Sequence, residues 1–452
     1  MDEARATPWN PDRRWADPLI TLLLLASLLS IWGIFAAQNA PRPEPQRPGL
    51  QARAQELGRA ALVVAHSSRA LNPLEATAGN YYWDRALLAL LAAERGDLSR
   101  GQTLAEEARQ GSEPSRTAFR HCWQAAYEEG PLPTEAEIES IRGPLGGGFA
   151  YWNLRARLAE RASQPSEPFR SQARAWALPR LAALGAGTFA TLALGLSGLV
   201  AAGLFLFTKK GPRPLLPLPV FAMPWRALVL ALLGWFLAMR ASGLVSAVCL
   251  SVVPLPRIMA LPIAYAFHVA VGGWLLLKAE GITLREALRR SAPGPLSRAL
   301  GWAAPFLGIA IATVVLVGLL ASPLTRNAAP PQRELMDIIS GLRHPLAVGA
   351  LLLTIGGLAP IFEEWVFRGI ILPWLGPRMA GRFGAKVGWG LAILGSGLAF
   401  GAMHLQPAGL PTLASLGLVL GWAFVRTGNL WTAIAIHACW NTGVFLLVRT
   451  LA

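Results

Sequence analysis

The sequence predicts an all-α, polytopic helical membrane protein of about nine spans with an N-terminal extramembrane helical domain. Three observations carry that prediction. Of 452 residues, 53% are hydrophobic and 15% charged, where an ordinary soluble domain carries about 25% charged residues. Apolar runs of bilayer length follow one another from residue 181 to the end of the chain. The acids are segregated: residues 1–180 hold 20 of the 26 Asp and Glu, and the remaining 272 residues hold six acids against twenty bases. Such a basic balance could point to nucleic acid. The bases, however, sit in short loops between apolar runs, as expected of cytoplasmic loops, so no nucleic-acid partner is expected. Cys122, Cys249 and Cys439 are too few and too scattered for a disulfide framework or a thiolate zinc site.

Taken in order, residues 1–17 read as a cytoplasmic N-terminus and residues 18–37 as a transmembrane anchor. The run Pro18–Ala37 follows Arg13 and Arg14 and can cross a core of about 30 Å at 1.5 Å per residue. It is also longer than the apolar region of a cleaved signal peptide, about 7–15 residues. The stretch PRPEPQRP (Pro41–Pro48) reads as an extended linker. Residues 38–180 are expected to be an extramembrane helical domain. Within it WDRALLALLAAERGDLSRGQTLAEEA (Trp83–Ala108) shows two amphipathic patterns joined at Gly96 and Asp97, similar to a tetratricopeptide hairpin but without a convincing second copy.

Residues 181–299 are expected to supply accessory spans (Leu181–Phe207, Phe221–Met239, Ile258–Leu277). Residues 300–452 supply five more: Leu300–Ala321, Ala347 to about Leu372, Val387–Leu405, Leu410–Val425 and Leu430–Val448. Lys209, Lys210 and Arg213, then Lys278, Arg285, Arg289 and Arg290, then Arg378, Arg382 and Lys386 fall in alternate loops, which places those loops inside. Arg240, Arg257, Arg326, Arg333 and Arg343 run against this pattern. Trp225, Trp302, Trp374, Trp389 and Trp431 lie near span ends, where aromatic belts form.

Chemistry is expected where costly side chains persist in apolar surroundings. Glu363 and Glu364 are adjacent in GGLAPIFEEWVFRGIILPWL, and Arg368 stands four residues after Glu364, the helical spacing at which two side chains meet. His404 lies in FGAMHL, and His437 in IAIHACWN has Asn441 one turn on. Measured along each helix from the nearest inside base, Glu363, His404, His437 and Asn441 come out at roughly 22, 27, 17 and 22 Å, all near the middle of a bilayer. A desolvated glutamate can take a proton from water, and histidine or asparagine can hold a metal or donate to an oxyanion. His268 reads as a packing histidine. His66, His121 and His344 have nothing near them that reads as a site.

EEWVFR (Glu363–Arg368), FGAMH (Phe400–His404) and HACWN (His437–Asn441) resemble, in order and separation, the EExxxR, FxxxH and HxxxN motifs of the CPBP family. This is the CAAX prenyl endopeptidase and bacteriocin-processing (Abi) group of intramembrane proteases, and the resemblance covers roughly residues 300–450. It implies peptide-bond hydrolysis in the bilayer with Glu363 as general base, Glu364 and Arg368 as the pair that holds it, and His404 on water or metal. His437 with Asn441 would serve the oxyanion or the metal. An ion is open: Glu363, His404 and His437 could hold zinc or another divalent metal, but no HExxH is present. The implied partners are the lipid bilayer and a protein or peptide substrate, with a protein partner for the helical domain, in a bacterial inner membrane. A catalytically silent scaffold of the same fold is the alternative from another class. A proton-coupled transporter is weaker, since no inverted repeat is evident.

Overall fold

The computed structural model describes residues 9–39, 50–64, 82–108, 113–208, 212, 218–252, 259–291, 295–325, 333–342 and 344–451. The regular structure of these residues is all helical, with no strand among them. Among them are nine helices long and apolar enough to cross a membrane: Arg13–Trp32, Glu167–Phe207, Trp225–Val252, Ala260–Glu280, Leu296–Leu324, Pro345–Phe383, Ala385–Met403, Pro407–Thr427 and Leu430–Leu451. Each matches one expected apolar run, and the chain is a multi-pass integral membrane protein. Much of their surface is apolar and exposed: Leu29, Phe207 and Leu320 show 69, 89 and 71% of their area. Lipid, being as apolar as leucine, imposes no cost on such a face.

The chain divides into two units, residues 1–40 with 190–445 and residues 41–189 with 446–452. In the second unit, Tyr82–Glu94 and Leu98–Glu107 form the expected hairpin. Gly96 turns at φ +86°, and Asp97 caps the second helix by accepting from the Arg100 amide at 3.1 Å. Trp83, Phe119 and Tyr151 are buried in its core. Inside this unit Arg53 donates to Glu56 at 2.8 Å, and Glu56 accepts from the Ala150 amide at 2.8 Å. A Cβ on Gly148 would stand 2.4 Å from that carboxylate, so a larger residue there would have to displace the Glu56 carboxylate from the ion pair. At Thr134 a capping box holds the Glu137 carboxyl down to about 2, chiefly because the Thr134 amide donates to it. Burial pushes the Cys122 thiol up to about 12, so it is an inert core residue.

In the first unit the helix carrying Glu363 is not one regular α-helix. Pro345–Leu353 passes into a π-helical turn at Thr354–Leu358, then α-helix Ala359–Val366, a second π turn at Phe367–Ile371, and α-helix Leu372–Phe383. Proline accounts for the interruptions. The Ala359 amide donates to the Thr354 carbonyl in π register, and the next residue, Pro360, has no amide to give Ile355. At the second turn the Leu372 amide donates to Phe367, and Pro373 again follows. Helix Ala385–Met403, by contrast, runs straight through Gly390.

Helices Ala385–Met403 and Leu410–Thr427 touch backbone to backbone: a Cβ on Gly417 would stand 2.9 Å from the Gly397 Cα. Such an approach requires glycine on both faces. Of the five expected interface tryptophans, Trp225 and Trp431 are exposed while Trp302, Trp374 and Trp389 are half-buried. The Trp374 indole donates to the Met223 carbonyl at 2.9 Å, the Trp389 ring lies against Gly376, and Trp302 meets Phe205 edge-on at 5.8 Å. Those three make helix contacts because each finds an inward partner, and a span-end position alone does not reveal that.

Candidate active site

The two π turns bracket the short α-helix that carries both glutamates, and each offers a carbonyl to a neighbouring helix. Asn441 donates through Nδ2 to the Ile355 carbonyl at 2.7 Å, the very group that Pro360 leaves without an amide. The Ser396 hydroxyl donates to the Phe367 carbonyl at 3.1 Å. π turns recur at functional sites because they re-aim side chains within a helix.

Glu364 and Arg368 are both fully buried. Arg368 Nη1 donates to Glu364 Oε1 at 2.8 Å, and its Nη2 donates to the Gly417 carbonyl at 2.8 Å. Its guanidinium also lies 4.7 Å from the centre of the Phe400 ring. Glu364 Oε1 accepts a second hydrogen bond, from His437 Nδ1 at 2.8 Å. A carboxylate can only accept, so His437 carries its proton on Nδ1 and turns the Nε2 lone pair outward when neutral. That Nε2 stands 4.0 Å from Glu363 Oε2, beyond a direct hydrogen bond and close enough for one water to touch both. Glu363 keeps 23% of its side chain exposed, against 0% for Glu364. The adjacent carboxylates thus face different surroundings: one is buried and bonded on two sides, the other open beside an imidazole.

Phe400 joins the remaining pieces. Fully buried, it meets His404 edge-on at 5.0 Å, His437 at 5.4 Å and Phe367 at 5.4 Å. His404 ends helix Ala385–Met403, and the chain turns at once through Leu405 at φ +53°. Its Nδ1 donates to the Phe400 carbonyl at 2.9 Å, leaving Nε2 open. Glu363, Glu364, Arg368 and His437 therefore form one contact group, and His404 joins them through the Phe400 ring. Asn441 is on the same helix face as His437 but points its amide at backbone. The Glu364–Arg368 pair touches His437, whereas its implied partner was Glu363.

Among the described residues no three His, Cys, Asp or Glu side chains stand at a spacing that would hold a metal ion. The implied donor set of Glu363, His404 and His437 is not gathered around one point.

Residues 345–443 match the model of the family described as Rce1-like, type II CAAX prenyl endopeptidase. The match is consistent with the CPBP family. It spans all three motifs, Glu363–Arg368, Phe400–His404 and His437–Asn441. No curated protein and no solved structure matches the chain. Two participants had no motif to announce them. Gly417 serves through its backbone carbonyl, which side-chain chemistry never flags, and Pro360 acts by lacking an amide. Because Asn441 supplies what Pro360 removes, Asn441→Ala is expected to lower stability by about 1 kcal/mol, the low end of the cost of an orphaned carbonyl, since this one is only partly buried. Thermal unfolding of the purified chain, compared with Asn441→Gln, would read this. An unchanged melting point would leave Asn441 free for another role.

Proposed function

We propose that the chain is an intramembrane endopeptidase of CPBP type that hydrolyses a peptide bond of a protein or peptide substrate within the bilayer, with Glu363 as general base. The observation that carries this reading is the 4.0 Å gap between Glu363 Oε2 and His437 Nε2, with the imidazole locked from behind by Glu364. A water in that gap gives one hydrogen bond to the carboxylate and one to the Nε2 lone pair, which leaves an oxygen lone pair for attack on the scissile carbonyl. Glu363 takes the proton as the water oxygen bonds to carbon, and returns it to the nitrogen as the C–N bond breaks. Glu364 and Arg368 act behind this pair, holding the tautomer and orientation of His437. His404 offers Nε2 as a second acceptor for water. In this reading the membrane is a bacterial inner membrane, and the helical unit recruits or orients a substrate or partner protein.

The test is cleavage by the purified full-length chain, in proteoliposomes, of a quenched-fluorescence library of apolar peptides with and without an S-farnesyl cysteine near the C-terminus. Cleavage that disappears in Glu363→Gln supports the enzyme. Cleavage indifferent to Glu363, or none at all, leaves the silent scaffold. The glutamate-type mechanism also expects activity to persist in EDTA and 1,10-phenanthroline. Loss on chelation, reversed by added zinc, would bring an ion to Glu363, His404 and His437.

A further inference from the structure

Span Ala260–Glu280 ends at Gly281, whose φ of +72° lets the Gly281 and Ile282 amides close on the Leu277 carbonyl. A separate short helix follows, Leu284–Ser291 (LREALRRS), capped where the Thr283 hydroxyl accepts from the Glu286 amide at 3.3 Å. It lies outside the matched segment 345–443 and takes no part in the chemistry proposed above.

One face of this helix is committed to the protein. Ala287, 1% exposed, belongs to the apolar core of the bundle. Arg290 donates to Glu286, and its Nη1 stands 3.5 Å from Glu280. Glu280 in turn accepts from the Ala222 and Met223 amides at 3.2 and 2.9 Å. Both acids of the stretch 278–291 are therefore engaged from behind, and the helix is fixed in place before anything meets its other face.

That other face carries two parallel rows. Leu284 and Leu288, 56 and 46% exposed, stand one turn apart. Arg285 and Arg289, also exposed, form a second row about 100° round the axis. Among the described residues neither arginine has an ion-pair or hydrogen-bond partner. Lys278, exposed in the last turn of the span, adds a third cation. Exposed leucines alone would be ordinary. A leucine row beside a row of unpaired arginines, beginning four residues past the end of a span, is the pattern of a helix lying at the boundary of acyl chains and headgroups. Leucine is at home on the acyl side, and the arginine stems let the charged ends reach phosphate. The bilayer is also the one partner already in place at this depth, and its anionic headgroups complement the bases.

We propose that the outer face of Leu284–Ser291 is a docking surface for anionic phospholipid, with Arg285 and Arg289 on headgroup phosphates and Leu284 and Leu288 in the acyl boundary. Guanidinium forks match phosphate oxygens in pairs. Because Ala287 and Arg290 hold the helix in advance, docking carries little ordering cost. A zwitterionic headgroup also has a phosphate, but its ammonium offsets the charge, so the anionic lipid is preferred.

The experiment is native mass spectrometry of the full-length chain, released from micelles and titrated with phosphatidylglycerol or with phosphatidylcholine of matched acyl chains. An arginine near an anionic surface is worth about fivefold in affinity. Arg285→Gln combined with Arg289→Gln should therefore bind phosphatidylglycerol about 25-fold more weakly and lose most of its preference over phosphatidylcholine. Arg382→Gln combined with Lys386→Gln removes two bases from another loop and should keep the parent's preference. Leu284→Ser combined with Leu288→Ser should weaken both lipids alike. Excess inorganic phosphate should leave the bound lipid in place; displacement would make this a site for free phosphate and overturn the lipid reading. A parent that does not prefer phosphatidylglycerol, an arginine variant that binds it as the parent does, or equal losses in the two base-removing variants each overturns the proposal. Should the double arginine variant not fold, Arg289→Gln alone carries the test: about a fivefold loss is expected, and parent-like affinity overturns the surface.

Discussion

Glu363→Gln is expected to lower kcat for peptide cleavage by about 10²–10⁴-fold, the usual worth of a positioned general base, while the protein is made and folds as the parent does. The expectation of normal folding follows from the geometry. Glu363 makes no direct hydrogen bond to His437 across 4.0 Å and keeps part of its side chain exposed, so an amide of the same shape leaves no partner stranded. Initial rates in proteoliposomes, with thermal unfolding as the control, would measure both. Glu363→Asp is the sharper companion. It keeps the base but withdraws it by one methylene, and positional errors near 1 Å cost about 10²-fold, so it should fall between parent and Gln. Equal activity of all three proteins would remove Glu363 from the chemistry.

The second large effect belongs to the pair behind the base. Arg368→Met is expected to destabilise the chain by about 3–5 kcal/mol, because it strands a fully buried carboxylate on Glu364 and removes the donor to the Gly417 carbonyl. Adding Glu364→Gln should restore much of that stability. The amide oxygen still accepts from His437 Nδ1, and no unpaired charge remains. Recovered stability need not bring recovered activity, since a neutral Gln holds the His437 tautomer less strongly than a carboxylate. Melting temperatures of the two single variants, the double variant and the parent give the coupling directly. Additive losses, or an Arg368→Met protein that melts with the parent, would contradict a coupled buried pair.

Local rules made much of this legible. A membrane span announces itself by length and hydropathy alone, since the bilayer demands about twenty apolar residues whatever the neighbours are, and each apolar run became a helix. Glu364 and Arg368 meet because helical geometry puts i and i+4 on one face. The hairpin at Gly96 and Asp97 follows from a residue free to turn at positive φ and a side chain able to cap. The π turns were less visible, although Pro360 and Pro373 mark where amides are missing. Proline in a span can kink, break or widen a helix, and Asn441 on a helix 86 positions away takes up the carbonyl it frees.

Composition, span lengths, the three spaced motifs and the i,i+4 pairs came from the chain itself, because each depends on residues a few positions apart or on a sum over a window. Two features depended on distant segments meeting: that Glu364 holds His437, and that the Phe400 ring meets His437. A hydrogen bond or ring contact is satisfied within an ångström or not at all. Only packing, here the glycine-to-glycine approach of two helices that lets Arg368 reach the Gly417 carbonyl, could settle which partner each polar group found.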